Sequence, residues 1–399
     1  MWAFGREGEV VQALLPGFES AHPGVHVRVQ QIPWIAAHEK LLTAVVGDAT
    51  PDVAQLGNTW VPEFTALHAL TPLDSLVAHS SAIPAADYFP GIWDTNVLDG
   101  VLYGIPWYVD TRLLFYRTDI LAAAGYRSPP ATWAEWRAAM ERVRARSGDR
   151  RYGVLLPVNE YAQPLTLGVA NGAPFLKDAG RFGDFEEPRF HAAFVFYTGL
   201  FASGLAPPVS NVQVANRYQS FANGEFVFLV SGPWDIGEFE RRLPDSLRGR
   251  WATAPMPAPS VGDGYPGASL AGGSSLVLFA RSRQREAAWA LIEYLADPER
   301  QAKFYGLTGD LPARRAAWRD TALSHNARAQ AFWEQLQHVR ATPKVAEWEE
   351  ISMKLADYAE AAVRGAMSAD SALAALDRDV DRILRKRRWL LARGLIRPD

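Results

Sequence analysis

Five short stretches of the chain place an aromatic ring close to a strand- or helix-breaking Gly or Pro and beside a polar side chain. An aromatic ring offers a flat apolar face to the C–H side of a sugar, and neighbouring carboxylate, amide or guanidinium groups can hydrogen-bond its hydroxyls. The pattern therefore indicates carbohydrate binding, although we expect about half of these rings to be structural. The stretches are QQIPWIAAHE with Trp34, LGNTWVPEF with Trp60, YGIPWYVDTR with Trp107 and Tyr108, VNEYAQP with Tyr161 and SGPWDIGEF with Trp234.

The third stretch also carries an opposite-charge pair, Asp110 and Arg112, within a segment that reads as a buried strand. Burying two charges is costly unless they pair with each other or meet a ligand. The two residues therefore predict either a ligand contact or a structural ion pair, and both interpretations stay open.

The sequence contains no motif of a common nucleotide-binding or hydrolytic site. GxxxxGK[ST], GxSxG and HExxH are missing, and the GxGxxG that begins at Gly262 lies in a proline-rich loop with no strand before it. His22 and His26 flank a Pro-Gly turn, and the acidic run of Asp377 and Asp379 is typical of a solvated helix face. We predict no catalytic residue, no metal site and no cofactor.

Length and composition narrow the class further. A chain of 399 residues exceeds the roughly 250 to 300 at which one core stops growing, so two lobes are expected. The net charge of −3 gives no footprint for nucleic acid, and no apolar run approaches the length of a membrane span. Cysteine is absent, which excludes disulfides and thiolate chemistry. These features favour a soluble protein that binds a small molecule.

The opening residues, MWAFGREGEVVQALL, lack the basic-then-apolar pattern of a secretory leader. The protein is therefore either cytoplasmic or a chain whose leader has been removed. We favour the second interpretation, because residues 2–4 read as a strand.

Hydrophobic spacing predicts alternating strands and helices. Apolar residues at helical spacing follow FGREG, and the alternation of Val25, Val27 and Val29 predicts a strand after it. A helix over 36–46 and a short strand ending at Leu56 come next, so we expect a parallel sheet covered by helices. Further helices are predicted over 133–145, 190–202, 285–296 and 345–363, the first with Thr132 and Glu135 as a capping box.

Eight stretches, in this order along nearly the whole chain, resemble the extracellular sugar-binding proteins of ABC importers, and among them the trehalose/maltose-binding group. They are FESAHPGVHVRVQ, TPDVAQLGN, ALTPLDSLV, YGIPWYVDTRLLFYRTDILAAAGY, PPATWAEWRAAMERV, FANGEFVFLVSGPWDI, GGSSLVLFARSRQREAAWALIEYLADPERQAKF and GDLPARRAAW.

The resemblance implies an α/β fold of two lobes, the Venus-flytrap fold of periplasmic binding proteins, in which each lobe is a sheet flanked by helices. The chain would cross a multi-strand hinge more than once and close on a ligand. On this pattern the N-terminal lobe holds 1–110 and 275–318, and the C-terminal lobe holds 111–274 and 319–399.

The resemblance also implies which residues contact the ligand. In the first lobe, Glu7 is the acidic contact at a helix start, with Arg6 beside it, and a glycine pair lets the backbone approach the sugar. Two departures from the pattern leave the exact sugar open: Ser274 stands where close relatives often carry Trp, and Arg112 where many carry a small residue. The implied ligand-binding residues are Arg6, Glu7, Gln31, Asn58, Trp60, Tyr108, Asp110, Arg112, Tyr161, Trp234, Asp235, Gly272, Gly273 and Arg314.

The expected function is that of a non-catalytic receptor. It captures a di- or oligosaccharide, with trehalose or maltose first, by hinge closure and hands it to the permease subunits of an ABC importer in the periplasm or outside the cell. We expect a monomer. One alternative is a carbohydrate-active enzyme with two carboxyl groups flanking the scissile bond. Another is the same receptor fold with a phosphorylated polyol or a peptide as its ligand, favoured if Arg6, Arg112 and Arg314 converge.

Overall fold

The computed structural model describes residues 1–147, 151–214 and 216–396. The strands are β1 (Trp2–Phe4), β2 (Gln30–Ile32), β3 (Val53–Gly57), β4 (Val97–Leu98), β5 (Val101–Leu102), β6 (Ile105–Asp110), β7 (Leu113–Arg117), β8 (Tyr152–Leu155), β9 (Phe175–Lys177), β10 (Phe182–Asp184), β11 (Phe226–Ser231), β12 (Trp251–Ala254), β13 (Ser269–Leu270), β14 (Gly272–Leu278), β15 (Leu311–Pro312) and β16 (Val339–Arg340).

Helices and short 3₁₀ turns alternate with these strands. The α-helices are α1 (Gly5–Val10), α2 (Leu15–Ala21), α3 (Trp34–Val46), α4 (Val61–Ala66), α5 (Asp74–Ala78), α6 (Pro90–Asp94), α7 (Thr118–Ala123), α8 (Trp133–Ser147), α9 (Ala162–Ala170), α10 (Pro188–Ala202), α11 (Arg217–Asn223), α12 (Trp234–Arg242), α13 (Arg285–Leu295), α14 (Pro298–Thr308), α15 (Thr321–Ser324), α16 (Ala327–Leu336), α17 (Trp348–Val363), α18 (Ala369–Ile383) and α19 (Arg385–Ala392).

The chain forms two compact units, each built from several segments. Unit 1 holds Met1–Asp110, Ala271–His325 and Lys344–Ala346, and unit 2 holds Thr111–Leu270, Asn326–Pro343 and Glu347–Asp399. The second passage between the units lies at 270/271, where the sequence analysis placed it at 274/275. Gly272 and Gly273 fall in unit 1 because β14 pairs from its first residue with β6.

Unit 1 is built on a six-stranded mixed sheet in the order β15-β6-β14-β3-β1-β2. β1 runs parallel to β2 and β3, whereas β14 is antiparallel to β3 and β6. The predicted parallel strand-helix-strand arrangement is therefore present in β1, β2 and β3. Since β14 reverses direction between β3 and β6, the carboxyl ends of β3 and β6 lie at the same edge of the sheet as those of β1 and β2.

The core of unit 1 lies between this sheet and the helices α3 and α4. Phe4 and Leu56 from the strands pack with Leu41 and Phe64 from the helices, and all four are fully buried. Burying one such side chain contributes roughly 1.5–3 kcal/mol. This packing holds the ends of the strands, and the residues that follow them, in fixed positions.

One strand prediction is wrong in its position. Val25, Val27 and Val29 alternate in burial, but the strand begins only at Gln30. Its partner, β1, starts at Trp2, which lies opposite Gln30. Met1, just before β1, donates to the Arg28 carbonyl and accepts from the Gln30 N–H, so backbone pairing reaches back to Val29 and leaves Val25 and Val27 outside the sheet.

Unit 2 contains a four-stranded sheet in the order β12-β7-β11-β8, in which β11 is parallel to β8 and antiparallel to β7. α8 begins with the predicted cap: the Glu135 N–H donates to Thr132 Oγ1 at 3.2 Å. The Glu135 carboxylate accepts from the Ala131 N–H at 2.8 Å, one residue earlier than in the usual capping box. Among the described residues, none of the helices combines the length and apolar character needed to span a bilayer.

The acidic run on α18 is structural rather than solvated, which corrects the sequence interpretation. Asp377 is buried and accepts hydrogen bonds from the backbone N–H groups of Phe185 and Glu186, at 2.9 and 3.0 Å. Asp379 accepts from the hydroxyl of Tyr358. The charge pattern could not predict the burial of Asp377, because the backbone groups that donate to it lie near β10, almost 200 positions away.

Candidate functional site

In unit 1 the predicted residues gather at one edge of the sheet. Glu7 follows β1, Trp34 follows β2 and Asn58 follows β3, while Asp110 ends β6. The carboxyl ends of these strands share an edge, and the crevice at the carboxyl ends of strands is where ligands bind in open α/β sheets. The topology therefore brings together residues separated by about a hundred positions.

Glu7 is the centre of this group. It lies on α1 and is 7% exposed. Its Oε1 accepts hydrogen bonds from the Tyr108 hydroxyl at 2.9 Å and from Trp34 Nε1 at 3.2 Å. Burial raises the pKa of Glu7, while the hydrogen bonds from Tyr108, Trp34 and Gln55 act in the opposite direction.

Tyr108 contributes its hydroxyl rather than its ring face. The residue is buried, and its ring is stacked on Phe304, with centroids 6.3 Å apart. The hydroxyl contacts Gln55 Nε2 and Ser274 Oγ, each at 3.0 Å. Burial, followed by the charge of Glu7, raises the pKa of Tyr108, so the hydroxyl keeps its proton and donates. The neighbouring Trp107 is a core residue stacked on Phe304.

Two further carboxyl groups stand near Glu7. β15 pairs with β6 so that Leu311 lies opposite Val109, which places Asp310 next to Asp110, one position beyond the ladder. Burial raises the pKa of Asp310 well above its usual value, and the charges of Glu7 and Asp110 raise it further. Asp310 therefore keeps its proton to a higher pH than an ordinary carboxyl group does.

The glycine pair gives Asp110 its space. A Cβ at position 272 would lie 2.1 Å from Asp110 Oδ1. Gly273 has a φ of 122°, and a Cβ there would lie 2.3 Å from the Tyr108 carbonyl oxygen. Position 273 requires glycine because of its φ and the backbone of β6, whereas a side chain at position 272 would displace the Asp110 carboxylate.

An aromatic cluster lies beside the carboxylates. Trp34 and Trp60 meet edge to face with centroids 5.8 Å apart, and Phe4 lies beneath both at 5.1 and 5.9 Å. Trp34 is 38% exposed, so part of its ring faces solvent. The Asn58 amide donates to the Ala271 carbonyl at 2.8 Å, which fixes the start of β14.

Arg6 and Gln31 lie at the exposed rim. Arg6 pairs with Glu9 at 3.0 Å, and its side chain is 64% exposed. The Gln31 amide donates to the Gly5 carbonyl at 2.9 Å and to Glu9 Oε1 at 3.1 Å.

Arg314 is placed away from this group. It is 5% exposed, and its Nε donates to Asp87 Oδ2 at 2.6 Å. Its Nη1 donates to the carbonyl oxygens of Ala82 and Ala296. Arg314 therefore forms a buried ion pair with Asp87 and is no longer a candidate ligand contact.

In unit 2, Arg112 and Trp234 form a cation–π pair. The Arg112 guanidinium carbon lies 4.7 Å from the centroid of the Trp234 ring. Trp234 begins α12 and is partly exposed. Tyr161, also partly exposed, lies directly before α9.

Asp235 is held inside unit 2 by hydrogen bonds instead of facing solvent. It is fully buried and accepts from Ser231 Oγ at 2.5 Å, from Arg217 Nη2 at 2.7 Å and from the Tyr218 hydroxyl at 3.1 Å. Burial raises the pKa of Asp235, and Arg217 opposes that shift. The resemblance implied both Trp234 and Asp235 as contacts, and their burial favours Trp234.

Sequence reasoning missed Gln55 and Asp310 and named Trp34 only as an aromatic at a chain turn. Asp310 lies in GDLP, directly before a two-residue strand, with no signal of its partner 200 positions away. Gln55 is a polar residue in an otherwise apolar strand, VAQLG, and all five residues of that strand are buried. A buried Gln in such a strand must find hydrogen-bond partners, which is the one signal that could have identified it.

Comparisons with known proteins agree with this architecture. Residues 5–302 match the family described as bacterial extracellular solute-binding protein. The structure of the sugar-binding protein MalE from Xanthomonas citri has a TM-score of 0.94 and 49% identity, covering 98% of both chains. An ABC transporter solute-binding protein of Thermotoga lettingae, bound with α-D-tagatose, has a TM-score of 0.80 and 25% identity over 96% of this chain and 98% of its own. The diacetylchitobiose-binding protein DasA of Streptomyces coelicolor is 23% identical over 85% of this chain and 78% of its own length.

We predict that Arg314→Met destabilises the protein. The substitution leaves Asp87 without its buried partner, which costs about 3 kcal/mol in the free energy of unfolding. Urea unfolding measures this change in the free energy of unfolding. Arg319→Met, on an exposed arginine five residues away, is the control and should change the free energy by less than about 0.5 kcal/mol. Equal effects of the two substitutions would contradict the structural role of Arg314.

Asp310→Asn should stabilise the unliganded protein at pH 7. Because the pKa of Asp310 is raised in the folded state, that state holds the proton more tightly than the unfolded chain does. Stability is therefore lost in the wild type as pH rises above the ordinary carboxyl pKa of about 4, and Asn cannot lose a proton.

Chemical unfolding at pH 4 and pH 7 tests this expectation. The stability gain of Asp310→Asn should be largest at pH 7 and shrink towards pH 4. Asp357→Asn, at an exposed carboxylate on α17, should show no such pH dependence. A variant that is less stable than the wild type at pH 7 would contradict the placement of Asp310 among carboxylates.

Proposed function

Because this chain belongs to the family of bacterial extracellular solute-binding proteins, we propose that it is the receptor of an ABC importer for a di- or oligosaccharide. Maltose and trehalose are the first candidates. The receptor acts in the periplasm or outside the cell, closes about its hinge on the bound sugar and delivers it to the permease subunits.

The observation that carries this proposal is the pairing of partly exposed aromatic rings with fixed polar groups in each unit. In unit 1, Trp34 and Trp60 lie beside Glu7, and in unit 2, Trp234 lies against Arg112. Rings of this kind suit the apolar face of a sugar, and the polar groups suit its hydroxyls. The 49% identity to a protein described as sugar-binding supports the same ligand class.

The charges of the unit 1 group favour a neutral ligand over an anionic one. The phosphorylated-polyol alternative would be favoured if Arg6, Arg112 and Arg314 converged. Arg314 is committed to Asp87, and Arg6 is paired with Glu9. Glu7 and Asp110 are both acidic, and carboxylates repel a phosphate.

Isothermal titration against maltose, trehalose, maltotriose, glucose and glycerol 3-phosphate tests the ligand class. We expect heat and a raised melting temperature with a di- or oligosaccharide, none with glycerol 3-phosphate, and no products after long incubation. An absence of response to every sugar would rule out the proposal. Release of monosaccharide would instead favour the enzyme alternative.

We predict that Trp234→Ala weakens binding of the sugar identified by this titration about 10- to 100-fold, as for other aromatic anchors in binding sites. Asp110→Ala should weaken it in the same direction, since it removes an acceptor for hydroxyls. Circular dichroism should show that both variants remain folded.

Trp389→Ala is the matched control, because Trp389 is 51% exposed on α19 and lies outside the proposed contacts. Its affinity should equal that of the wild type. If Trp234→Ala binds as well as Trp389→Ala does, Trp234 is not a ligand contact.

A further inference from the structure

We infer that Gln55 is a positioning residue that acts through Tyr108 and fixes Glu7 as an acceptor, so that the ligand must meet Glu7 with a hydrogen-bond donor such as a sugar hydroxyl. The inference rests on the proposed function, since it names the polarity of one contact in the same site. It concerns four buried side chains, the partly exposed Trp34 and one backbone group of unit 1.

The orientation of the Gln55 amide is fixed at one end by the backbone. Gln55 lies in the middle of β3 and is fully buried. Its Oε1 is 2.8 Å from the backbone nitrogen of Phe4, in the adjacent strand β1. A backbone N–H can only donate, so this end of the amide must be the oxygen. The two hydrogens of Nε2 therefore point the other way.

The Gln55 hydrogens determine how the next hydroxyls are oriented. Nε2 donates to Tyr108 Oη at 3.0 Å and to Ser274 Oγ at 3.3 Å. Ser274 Oγ then donates to Tyr108 Oη at 3.0 Å. Tyr108 thus accepts two hydrogen bonds, and its single hydrogen is left for Glu7 Oε1, 2.9 Å away.

A second donor reaches Glu7 from a different element. Trp34 Nε1, at the start of α3, lies 3.2 and 3.4 Å from the two carboxylate oxygens. An indole N–H can only donate. Glu7 therefore faces protein donors from both β6 and α3, which stabilise its ionised form and offset part of the cost of burial.

The other charges near Glu7 do not supply this stabilisation. Asp310, just past α14, and Asp110, at the end of β6, are both acidic. Arg6 and Glu9 on α1 itself pair with each other on the exposed side. α14, which packs against α1, carries Glu299, Arg300 and Lys303, and Arg300 is engaged with Asp297 and Glu299.

Gln55→Glu reverses the direction of the chain of hydrogen bonds. One oxygen of the new carboxylate still accepts from the Phe4 N–H, but the other now accepts from Tyr108 instead of donating to it. Tyr108 then turns its hydrogen away from Glu7. Loss of that hydrogen bond, together with the negative charge added near Glu7, should raise the pKa of Glu7 further and weaken its hold on a ligand hydroxyl.

The first measurement needs no ligand. In protein carrying ¹³C-labelled glutamate carboxyl groups, the Glu7 resonance is assigned with Glu7→Gln and titrated by NMR in the wild type and in Gln55→Glu. We expect the higher pKa for Glu7 in the variant. Tyr108→Phe removes the hydroxyl that donates to Glu7 and adds no charge, so it should also raise the pKa of Glu7. This variant tests the same hydrogen bond if Gln55→Glu does not fold.

The second measurement is the pH dependence of maltose affinity, by titration calorimetry from pH 5.5 to 8. The wild-type affinity should stay nearly constant above pH 6.5. At pH 8, Gln55→Glu should bind maltose at least about 10-fold more weakly than the wild type does. Its affinity should recover towards pH 5.5, because the introduced carboxyl group is then protonated and donates to Tyr108 again.

Gln335→Glu is the matched control. Gln335 is equally buried in unit 2, and its Oε1 likewise accepts from a backbone N–H, that of Met256 at 2.7 Å. This variant should change neither the Glu7 pKa nor the pH profile.

An unchanged Glu7 pKa in both Gln55→Glu and Tyr108→Phe overturns the inference, even if maltose binds. A loss of affinity that is equal at every pH also overturns it, because that result indicates only structural damage. A shifted Glu7 pKa in a protein that binds no sugar supports the hydrogen-bond network and refutes the proposed function instead.

Discussion

The arrangement of unit 1 depends on how the carboxylate of Glu7 is kept inside the protein. A carboxylate out of contact with water is unfavourable unless donors surround it. Tyr108 and Trp34 are those donors, at 2.9 and 3.2 Å, and Gln55 and Ser274 orient Tyr108 in turn. The hydrogen bond between Tyr108 and Glu7 therefore links a residue at the start of the chain to the strand that ends unit 1's first segment.

The mixed sheet makes this contact geometrically available. β14 runs in the opposite direction between β3 and β6, so the ends of β1, β2, β3 and β6 lie at one edge. The same edge collects Asp110 and Asp310, whose mutual repulsion is relieved when Asp310 keeps a proton. Unit 1 thus presents an acidic, aromatic group of residues. Unit 2 presents a different chemistry, a guanidinium held over an indole.

The sequence predicted the class of the fold and the helices well because those depend on local periodicity. α3, α8, α10 and α13 lie within two residues of their predicted bounds, and the α/β two-lobed fold of the family is confirmed. Partners distant in sequence could not be read in this way. Arg314 is not a candidate contact because it pairs with Asp87. Asp235 is buried and hydrogen-bonded by Ser231 and Arg217. The backbone N–H of Phe4 determines the orientation of the Gln55 amide. Asp110 and Arg112 belong to different units, which divide between residues 110 and 111, where the family resemblance also placed the lobe boundary.

A crystal structure grown with maltose is the sharpest test, because it locates the sugar against named atoms. We expect a sugar hydroxyl within hydrogen-bond distance of Glu7, on the side not occupied by Tyr108 and Trp34. Maltose bound away from Glu7, or a Glu7 carboxyl that donates to an acceptor on the sugar, would contradict the role of Glu7.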